Sequence, residues 1–390
     1  MAVNLTNATD ALKTYYLDAI AEQLDKGINP FYAAIEKSEN DVWGKEVKKL
    51  VTYGVNGGIG AGAEDGELPT ASGALYKEFT STLKNLYGTI EISDKAVRAS
   101  ANNAGAFVNL LTAEMESLIR SAKYNFGRML FGDGKGILAT VQNIVSGKIT
   151  VDSAVALAEN MRIEFLDEDG DSLATPVVRR ITAVDRNANT VSVDGVVLNT
   201  TAVPAGSLIA LYGAADREIT GLKAIFDNSS IYGLSKSSNP WLKPYDAADV
   251  GDLEEMDIQL AIDKIEEASG GTVNMIICSW GVRRAIQKLF AGKSVVLDSA
   301  ELAGGYRAIT YNGIPIVADR FCDKGTMYLL NTNDFTLHQL CDWQWMESDD
   351  GSILRQVPGK PVYTATLVKY AELMCNRPCG QGRLTGITEA

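Results

Sequence analysis

The sequence NAGAFVNLLTAEMESLIRSAKYNFGRMLFGDG, residues 103–134, predicts one long amphipathic helix. Its large apolar residues recur three or four positions apart, which places them on one helical face opposite the charged residues. An unbroken helix would extend roughly 40 Å at 1.5 Å per residue, too far for one compact lobe to cover, so we expect a strut to which several parts attach. The apolar face comprises Phe107, Leu110, Leu111, Met115, Leu118, Ala122, Phe126 and Met129, and the polar face comprises Asn109, Glu116, Arg120 and Lys123.

Two strands with a glycine-rich segment between them precede this helix. Lys45–Tyr53 alternates apolar and charged residues, which is typical of a strand with one wet face, and Leu75–Ile92 is predicted as a second strand. Residues 54–74 between them contain seven glycines. We expect one long projecting hairpin. Because an isolated two-stranded ribbon is only marginally stable in water, we expect another subunit to cover it.

The composition changes after the long helix. Residues 137–221 are rich in Val, Ile and Thr and carry regularly spaced turn signals, which predict a small β-barrel or β-sandwich. Because glycines flank this segment, at Gly136 and Gly221, we interpret it as an inserted domain. Helices and strands then alternate as in an α/β lobe, and two long strands follow, Phe335–Met346 and Val362–Met374.

Other helices are predicted at the N-terminus and in the α/β lobe. Residues 4–40 carry a partial apolar stripe and predict a helical arm interrupted at Asn29-Pro30, too small to be a domain by itself. In the lobe, Asp252 and Ser279 are placed to cap two successive helices. The first of these has a predicted apolar stripe of Leu253, Met256, Leu260 and Ile265.

The composition limits the function classes open to the chain. Its 36 Lys and Arg residues against 49 Asp and Glu residues give a net charge of −13, which disfavours tight binding to nucleic-acid phosphates. The five cysteines are odd in number and lie in the last third, which favours free thiols in a reducing compartment. The sequence predicts neither a signal peptide nor a transmembrane helix, so we expect synthesis in the cytosol.

Residues with catalytic potential are few. The one histidine, His338, would have to serve any serine triad, papain-like dyad or common zinc site, and no nucleophile signature accompanies it. We therefore interpret it as structural. Cys375 and Cys379 form C-x-x-x-C, but a zinc site needs four ligands and the other cysteines are isolated, so we interpret both as buried or edge thiols. We expect no catalytic residue, cofactor site or metal site.

Three further patterns resemble ligand sites without meeting their requirements. Asp167–Asp171, DEDGD, is similar to a calcium loop, but the glycine stands at the wrong position, so a charged hairpin turn is favoured over a weak cation site. GVNGGIGAG, residues 54–62, matches neither a phosphate loop nor a dinucleotide fingerprint and favours a flexible hairpin tip. Arg283 and Arg284 lie on a predicted helix and are interpreted as a solvated basic face.

Four short motifs occur in a particular order along the chain. IEISD at residues 90–94 resembles a strand that leaves an extended loop, and FGDG at residues 131–134 resembles the end of a spine helix. NMIICS at residues 274–279 resembles an axial-domain strand and helix start, and GIPIV at 313–317 with YLLN at 328–331 resembles a further strand pair. Together with the order of helix, hairpin and lobe over residues 30–386, they resemble the major capsid protein of tailed bacteriophages, the Hong Kong ninety-seven type.

The resemblance implies an α+β capsid fold with defined parts. Residues 137–221 depart from the family's minimal pattern and would be an inserted small β-barrel or sandwich domain, which some members carry on the capsid exterior. The other parts would be an N-terminal arm (1–44), an extended β-hairpin loop (45–92), a peripheral domain (93–136 and 334–375) with the spine helix (103–131), and an axial domain (222–333 and 376–390).

The resemblance also implies a function. The chain would be a structural protein, not an enzyme, that self-assembles into hexamers and pentamers of an icosahedral or prolate phage head enclosing double-stranded DNA. Its partners would be further copies of itself, bound through the extended loop and the arm, together with a portal and a separate scaffold or decoration protein. The acidic balance suits a container that holds DNA without binding it specifically. The protein would belong to the virion, after assembly in the host cytoplasm, without a membrane.

Two departures from the family narrow this expectation. About 40 residues precede the first strand, so we expect no cleaved N-terminal scaffolding segment of the kind some relatives have. Some relatives also crosslink a loop lysine to an asparagine. Lys77 and Lys84 are available in the loop, but no motif assigns either, so we expect no crosslink.

Two other functions stay open from the sequence. The same fold serves as the shell of bacterial nanocompartments, the encapsulin type, which load protein cargo; the length and the inserted domain argue against this alternative. The other is an enzyme or carbohydrate-binding protein that uses the β module of residues 137–221, which would need a compact polar site that the sequence does not show.

Overall fold

The computed structural model describes residues 29–40, 42–95, 104–291, 299–301, 307–347 and 351–390. Within these ranges the longest helix has 26 residues and lies where the sequence predicts the strut. The predicted helical arm lies outside the described residues up to Ile28. The helices are α1 (Pro30–Ala34), α2 (Ala104–Met129), α3 (Leu222–Asp227), α4 (Glu255–Ser269) and α5 (Trp280–Ala291).

Strands form most of the remaining regular structure. In chain order they are β1 (Glu36–Ser38), β2 (Val42–Trp43), β3 (Glu46–Tyr53), β4 (Leu75–Thr82), β5 (Lys84–Ser93), β6 (Ile137–Val145), β7 (Lys148–Val151), β8 (Arg162–Leu166), β9 (Ser172–Asp185), β10 (Thr190–Val193), β11 (Leu208–Leu211), β12 (Ser230–Ile231), β13 (Leu234–Ser235), β14 (Tyr245–Ala247), β15 (Met275–Cys278), β16 (Ser299–Glu301), β17 (Arg307–Tyr311), β18 (Ile314–Ala318), β19 (Met327–Leu330), β20 (Phe335–Trp345), β21 (Arg355–Gln356), β22 (Val362–Cys375) and β23 (Gly382–Leu384).

These strands form separate sheets, each with its own place in the fold. The peripheral sheet contains β1, β20 and β22 side by side, with β5 and β21 also paired to β22. The axial sheet has the order β14-β23-β19-β15-β18-β17-β16. A three-stranded sheet of β2, β3 and β4 forms the hairpin, and β10-β7-β6-β11-β8-β9 close into a barrel.

The hairpin is shorter than the sequence predicted. A single strand over Leu75–Ile92 is wrong, because the strand divides at Leu83. β4 pairs with β3, whereas β5 leaves the hairpin and runs beside β22 in the peripheral sheet. β5 buries Leu86, Ile90 and Ile92, whereas β4 buries only Phe79, and no Gly or Pro stands between the two strands to signal the change of sheet.

The N-terminal region is interrupted at Asn29-Pro30 as predicted, but residues 36–40, which were predicted to be helical, are not. After α1 the chain turns at once into β1, which pairs in parallel with β20. Asn29 caps α1 by accepting a hydrogen bond from the Tyr32 backbone N–H at 2.7 Å, and Pro30 occupies the first turn. Phe31 and Tyr32 are then fully buried in the core beside α2. The segment therefore anchors whatever precedes it to the peripheral part of the fold.

The predicted apolar face of α2 is confirmed wherever its side chains are described. Met115 and Phe126 are buried, and Leu118 packs against the same core. Gly88 on β5 allows this contact, because a Cβ there would lie 2.9 Å from a Leu118 methyl carbon. Glu116 and Arg120 face solvent as predicted. The side chains of residues 104–113, including Phe107, Leu110 and Leu111, lie outside the described part.

The axial lobe places α4 and α5 on one face of its sheet. Residues of β15 alternate between this face and the central core, so that Ile276 and Cys278 contact the helices. Ser279 caps α5 as predicted, accepting a hydrogen bond from the Val282 N–H at 3.3 Å. α4, however, begins at Glu255, after a capping box formed by Glu254 and Asp257 rather than a cap at Asp252.

The apolar stripe predicted for α4 is wrong for two of its four residues. Leu253 and Ile265 are buried, but Met256 and Leu260 are exposed by 69% and 49%. The buried residues of α4 instead follow the i, i+3, i+4, i+7 spacing of one helical face. These buried residues are Ile258, Ala261, Ile262 and Ile265.

The β module is a closed barrel with its own core. Every strand pairs on both sides, from β6 with β7 and β11 to β9 with β8 and β10. Closure removes the exposed strand edges that an open sheet of this size would present. The interior residues come from all around the barrel and include Ile149, Ile163, Val191 and Ile209, which are essentially inaccessible to solvent.

Candidate assembly surfaces

The hairpin exposes six large apolar side chains. β3 and β4 pair in register from Glu46 with Thr82 to Tyr53 with Leu75, and residues 54–74 form an irregular tip. Several large apolar side chains exposed on one element are typical of a site of contact with another protein. The exposed apolar side chains of the hairpin are Leu50, Val55, Ile59, Leu68, Leu75 and Tyr76.

The two strands of the hairpin pack against the loop that contains Tyr232 and Trp241. Trp241 stacks on Tyr53, with ring centroids 4.9 Å apart, and on Phe79 at 6.0 Å. The Tyr232 backbone carbonyl accepts a hydrogen bond from the Thr80 N–H at 3.1 Å. The role of Trp241 was not predicted from the sequence. A tryptophan in a polar loop was the available signal, but its partners Phe79 and Tyr53 lie about 160 and about 190 residues away along the chain.

The barrel is attached where α2 ends. Arg128 on α2 forms a buried two-pronged ion pair with Glu218, at 2.8 and 2.5 Å, on the segment that leaves the barrel. Gly221 then passes so close to the end of α2 that a Cβ would lie 2.4 Å from the Met129 carbonyl oxygen. Gly136 passes Ala214 in a similar way, with a positive φ of 78°. Both flanking glycines found in the sequence are therefore close-approach positions at this attachment.

His338 and Glu372 lie side by side within the peripheral sheet. They are direct partners in the β20–β22 pairing, and both side chains are fully buried. The Glu372 carboxylate accepts a hydrogen bond from the Thr220 N–H at 2.9 Å, next to the barrel attachment. Burial raises the pKa of Glu372 to about 7, although the bond from Thr220 and the charge of Lys84 act in the opposite direction. Glu372 therefore joins the peripheral sheet to the segment that leaves the barrel.

We expect Glu372→Gln to change the pH dependence of stability. The folded-state pKa of Glu372 is raised from about 4.5 to about 7, so between these values the folded chain holds a proton that the unfolded chain has lost. The free energy of unfolding of the wild type therefore falls as pH rises through this window. Glutamine can still accept the Thr220 bond but does not titrate, so the variant should gain stability relative to wild type by up to about 3 kcal/mol from pH 4.5 to 7.5. Urea unfolding of both unassembled chains measures this, and a pH-independent difference would contradict it.

A buried lysine ties β1 and β20 to β22. The Lys369 ammonium, with no exposed side-chain surface, donates to Asp342 at 2.5 Å and to Gln339 at 2.7 Å. Gln339 in turn donates to Glu39 just after β1. Burial lowers the pKa of Lys369, and the Asp342 charge partly opposes this shift. The network fixes the start of the described chain to the peripheral sheet.

The cysteines and the acidic turn behave as structural groups. Burial raises the pKa of Cys375 well above its ordinary value and also raises that of Cys379. The Asp167 carboxylate accepts the backbone N–H groups of Asp169 and Asp171 at 3.1 and 2.8 Å, within the turn between β8 and β9. Over the described residues, no group of three His, Cys, Asp or Glu side chains is placed to hold a metal ion.

The remaining sequence candidates are dispersed. Arg283 and Arg284 lie on α5, with the Arg283 guanidinium 5.7 Å from the centre of the Trp280 ring. Lys77 is exposed on β4, whereas Lys84 donates to the Asp216 carbonyl at 3.2 Å beside the barrel. The absence of a crosslink stays a prediction. None of the helices in the described ranges is both long and apolar enough to span a membrane.

Comparison with known proteins gives matches only at the level of structure. No known family profile and no curated protein sequence matches the chain. A chain of the cyanophage A-1(L) capsid is 12% identical, with a TM-score of 0.57 over 92% of this chain and 93% of that one. A capsid chain of a native GTA particle is 10% identical, with a TM-score of 0.48 over 93% and 91%. A chain of the holo-SrpI encapsulin complex from Synechococcus elongatus is 9% identical, with a TM-score of 0.46 over 95% of each.

The likeness to the cyanophage capsid chain extends over nearly the whole of both chains, at an identity that speaks for the fold alone. It agrees with the order of projecting hairpin, long helix, peripheral sheet and axial lobe described above. The chain therefore has the α+β fold of the tailed-phage major capsid protein, the Hong Kong ninety-seven type, that its sequence predicted.

Proposed function

We propose that this chain is the major capsid protein of a phage head, which assembles into hexamers and pentamers around double-stranded DNA. The exposed apolar hairpin carries this proposal. Trp241 packs on both strands of the hairpin, while the tip beyond them offers apolar side chains such as Ile59 and Leu68 that are 86% and 90% exposed. Such exposed apolar side chains are typical of a surface that contacts another protein, here a neighbouring copy of the chain.

The charge and the division of the chain support the same function. A net charge of −13 suits an inner surface that holds DNA without binding it tightly, because phosphate contacts require clustered cations. The parts proposed are those of the sequence analysis, with β5 contributing to the peripheral domain as well as leaving the extended loop. The barrel, attached through Arg128 and Glu218, would face the exterior as an inserted domain.

The proposal places the protein in the virion and gives it a structural rather than catalytic role. Its first partner is a second copy of itself, through the hairpin and the arm. A portal, and a scaffold or decoration protein, are further proposed partners. The barrel as a ligand-binding or enzymatic module finds no support in its closed apolar interior, which includes Ile163, Val191 and Ile209.

Electron microscopy of the purified full-length chain tests this function. We expect closed shells or rings of subunits above a threshold concentration, and a chain that stays monomeric at every concentration would contradict the proposal. Particles isolated from producing cells then separate the two shell functions. Nuclease-protected double-stranded DNA inside them supports a phage head, whereas a protein cargo without DNA supports a nanocompartment.

A further inference from the structure

The axial lobe carries two helices of opposite charge on the same face of its sheet. α4 has five acidic residues and one lysine, whereas α5 has three cations and no acidic residue. The inner sides of both helices pack in the same hydrophobic core, through residues such as Ile262 on α4 and Ile286 on α5. Their charged sides therefore point away from the lobe.

Each of these outer sides also exposes large apolar side chains. Met256 and Leu260 on α4 are 69% and 49% exposed, and Trp280 at the start of α5 is 53% exposed. Trp280 lies under the guanidinium of Arg283, so an aromatic ring and a cation form one surface. Exposed tryptophan and arginine are the residue types that most often anchor a protein interface.

The charges of α4 and α5 indicate which kind of surface each helix can contact. Two copies of a chain with a net charge of −13 repel each other at long range, so a contact is favoured where unlike charges face each other. α5 is a concentrated cationic surface, with Arg283, Arg284 and Lys288. α4 supplies exposed carboxylates at Asp263 and Glu267, and its one lysine, Lys264, forms a solvent-exposed ion pair with Glu267 at 2.8 Å. Every copy of the chain therefore carries, on α4, an acidic surface that is complementary in charge to α5.

We propose that the outer side of α4 on one subunit docks on the outer side of α5 on a second copy of this chain. In this contact Met256 and Leu260 cover Trp280, and the carboxylates of Asp263 and Glu267 face the cations of α5. The proposal rests on the shell function above and names the axial contact between its subunits. It is separate from the hairpin contact, which uses other residues.

Charge reversal on each helix tests the contact. The first variant is Arg283→Glu/Lys288→Glu, and the second is Asp263→Lys/Glu267→Lys. Arg284 is left unchanged because its side chain donates to the C-terminal Ala390 carbonyl. Each variant alone brings like charges together, so we expect the concentration for half-maximal oligomerisation, measured by sedimentation velocity, to rise at least about tenfold.

Mixing the two variants separates a contact between subunits from one within a subunit. In a 1:1 mixture, each α4–α5 contact between unlike variants is complementary again, so we expect mixed oligomers near the wild-type concentration. Lys148→Glu/Arg180→Glu, on the barrel, changes the net charge by the same amount as the first variant and should assemble normally. Urea unfolding of every variant checks that the subunit fold is intact.

The outcomes distinguish this inference from the shell function. If wild type assembles and both variants assemble equally well, or if the mixture does not restore assembly of correctly folded variants, the α4–α5 contact is overturned while the shell function stands. If the wild type stays monomeric, both are overturned. Mixed oligomers that form only from the two variants together support the contact.

Discussion

Replacing Leu118 with proline in the middle of α2 should abolish assembly. A proline within a helix removes a backbone hydrogen bond and clashes with the preceding turn, which costs about 3 kcal/mol or more. The substitution also removes the side chain that packs against Gly88 of β5. Because α2 connects the hairpin region, the peripheral sheet and the barrel attachment at Arg128, a break in it should misplace all three relative to one another. Urea unfolding and electron microscopy of the purified chain measure the two effects.

Two controls separate the backbone effect from the loss of the side chain. Leu118→Ala keeps the helix and should lower the free energy of unfolding by less than the proline does, while still permitting some assembly. Glu116→Ala, on the exposed side of α2, should change stability by less than about 0.5 kcal/mol. A proline variant that forms normal shells with wild-type stability would show that a continuous α2 is not required.

Placing aspartate at both Ile59 and Leu68 should block assembly while leaving the folded subunit intact. Both side chains lie on the hairpin tip and are almost fully exposed, so the isolated subunit gains no stability from them. If a neighbouring copy covers the tip, each new carboxylate must lose its water in the contact, which costs several kcal/mol unless it is paired. We expect wild-type urea unfolding together with loss of shells in electron micrographs.

The barrel offers a matched control for this variant. Val196 and Val197 are 78% and 72% exposed, and changing both to aspartate introduces the same charge on a surface proposed to face the exterior. That variant should assemble as the wild type does. Equal assembly of the hairpin variant and the barrel variant would remove the main observation behind the proposed function.

The sequence indicated the part of the fold that depends on local pattern. The apolar face of α2 is visible because a helix that buries one side must place apolar residues three and four positions apart, as Met115, Leu118, Ala122 and Phe126 do. The barrel was visible through short β-rich segments between turns, and the flanking glycines marked where it is attached. The order of these parts led to the capsid fold although no single motif is long.

Other features depend on contacts between distant residues, and the sequence could not supply them. These features are the change of sheet at Leu83, the exposure of Met256 and Leu260, and the stacking of Trp241. Each depends on which elements pack against each other in the folded chain.

For the candidate assembly surfaces too, some features follow from the local sequence and others from contacts between distant residues. The amphipathic pattern predicts that one side of α2 is buried. The glycine-rich segment between two strands predicts a projecting hairpin. Local sequence thus determined the long helix, the hairpin and the barrel, because hydrophobic periodicity and turn residues act within a few positions. Tertiary structure alone decided that α4 and α5 cover one face of the axial sheet with opposite charges outward, since that depends on the packing of both helices on β15 and its neighbours.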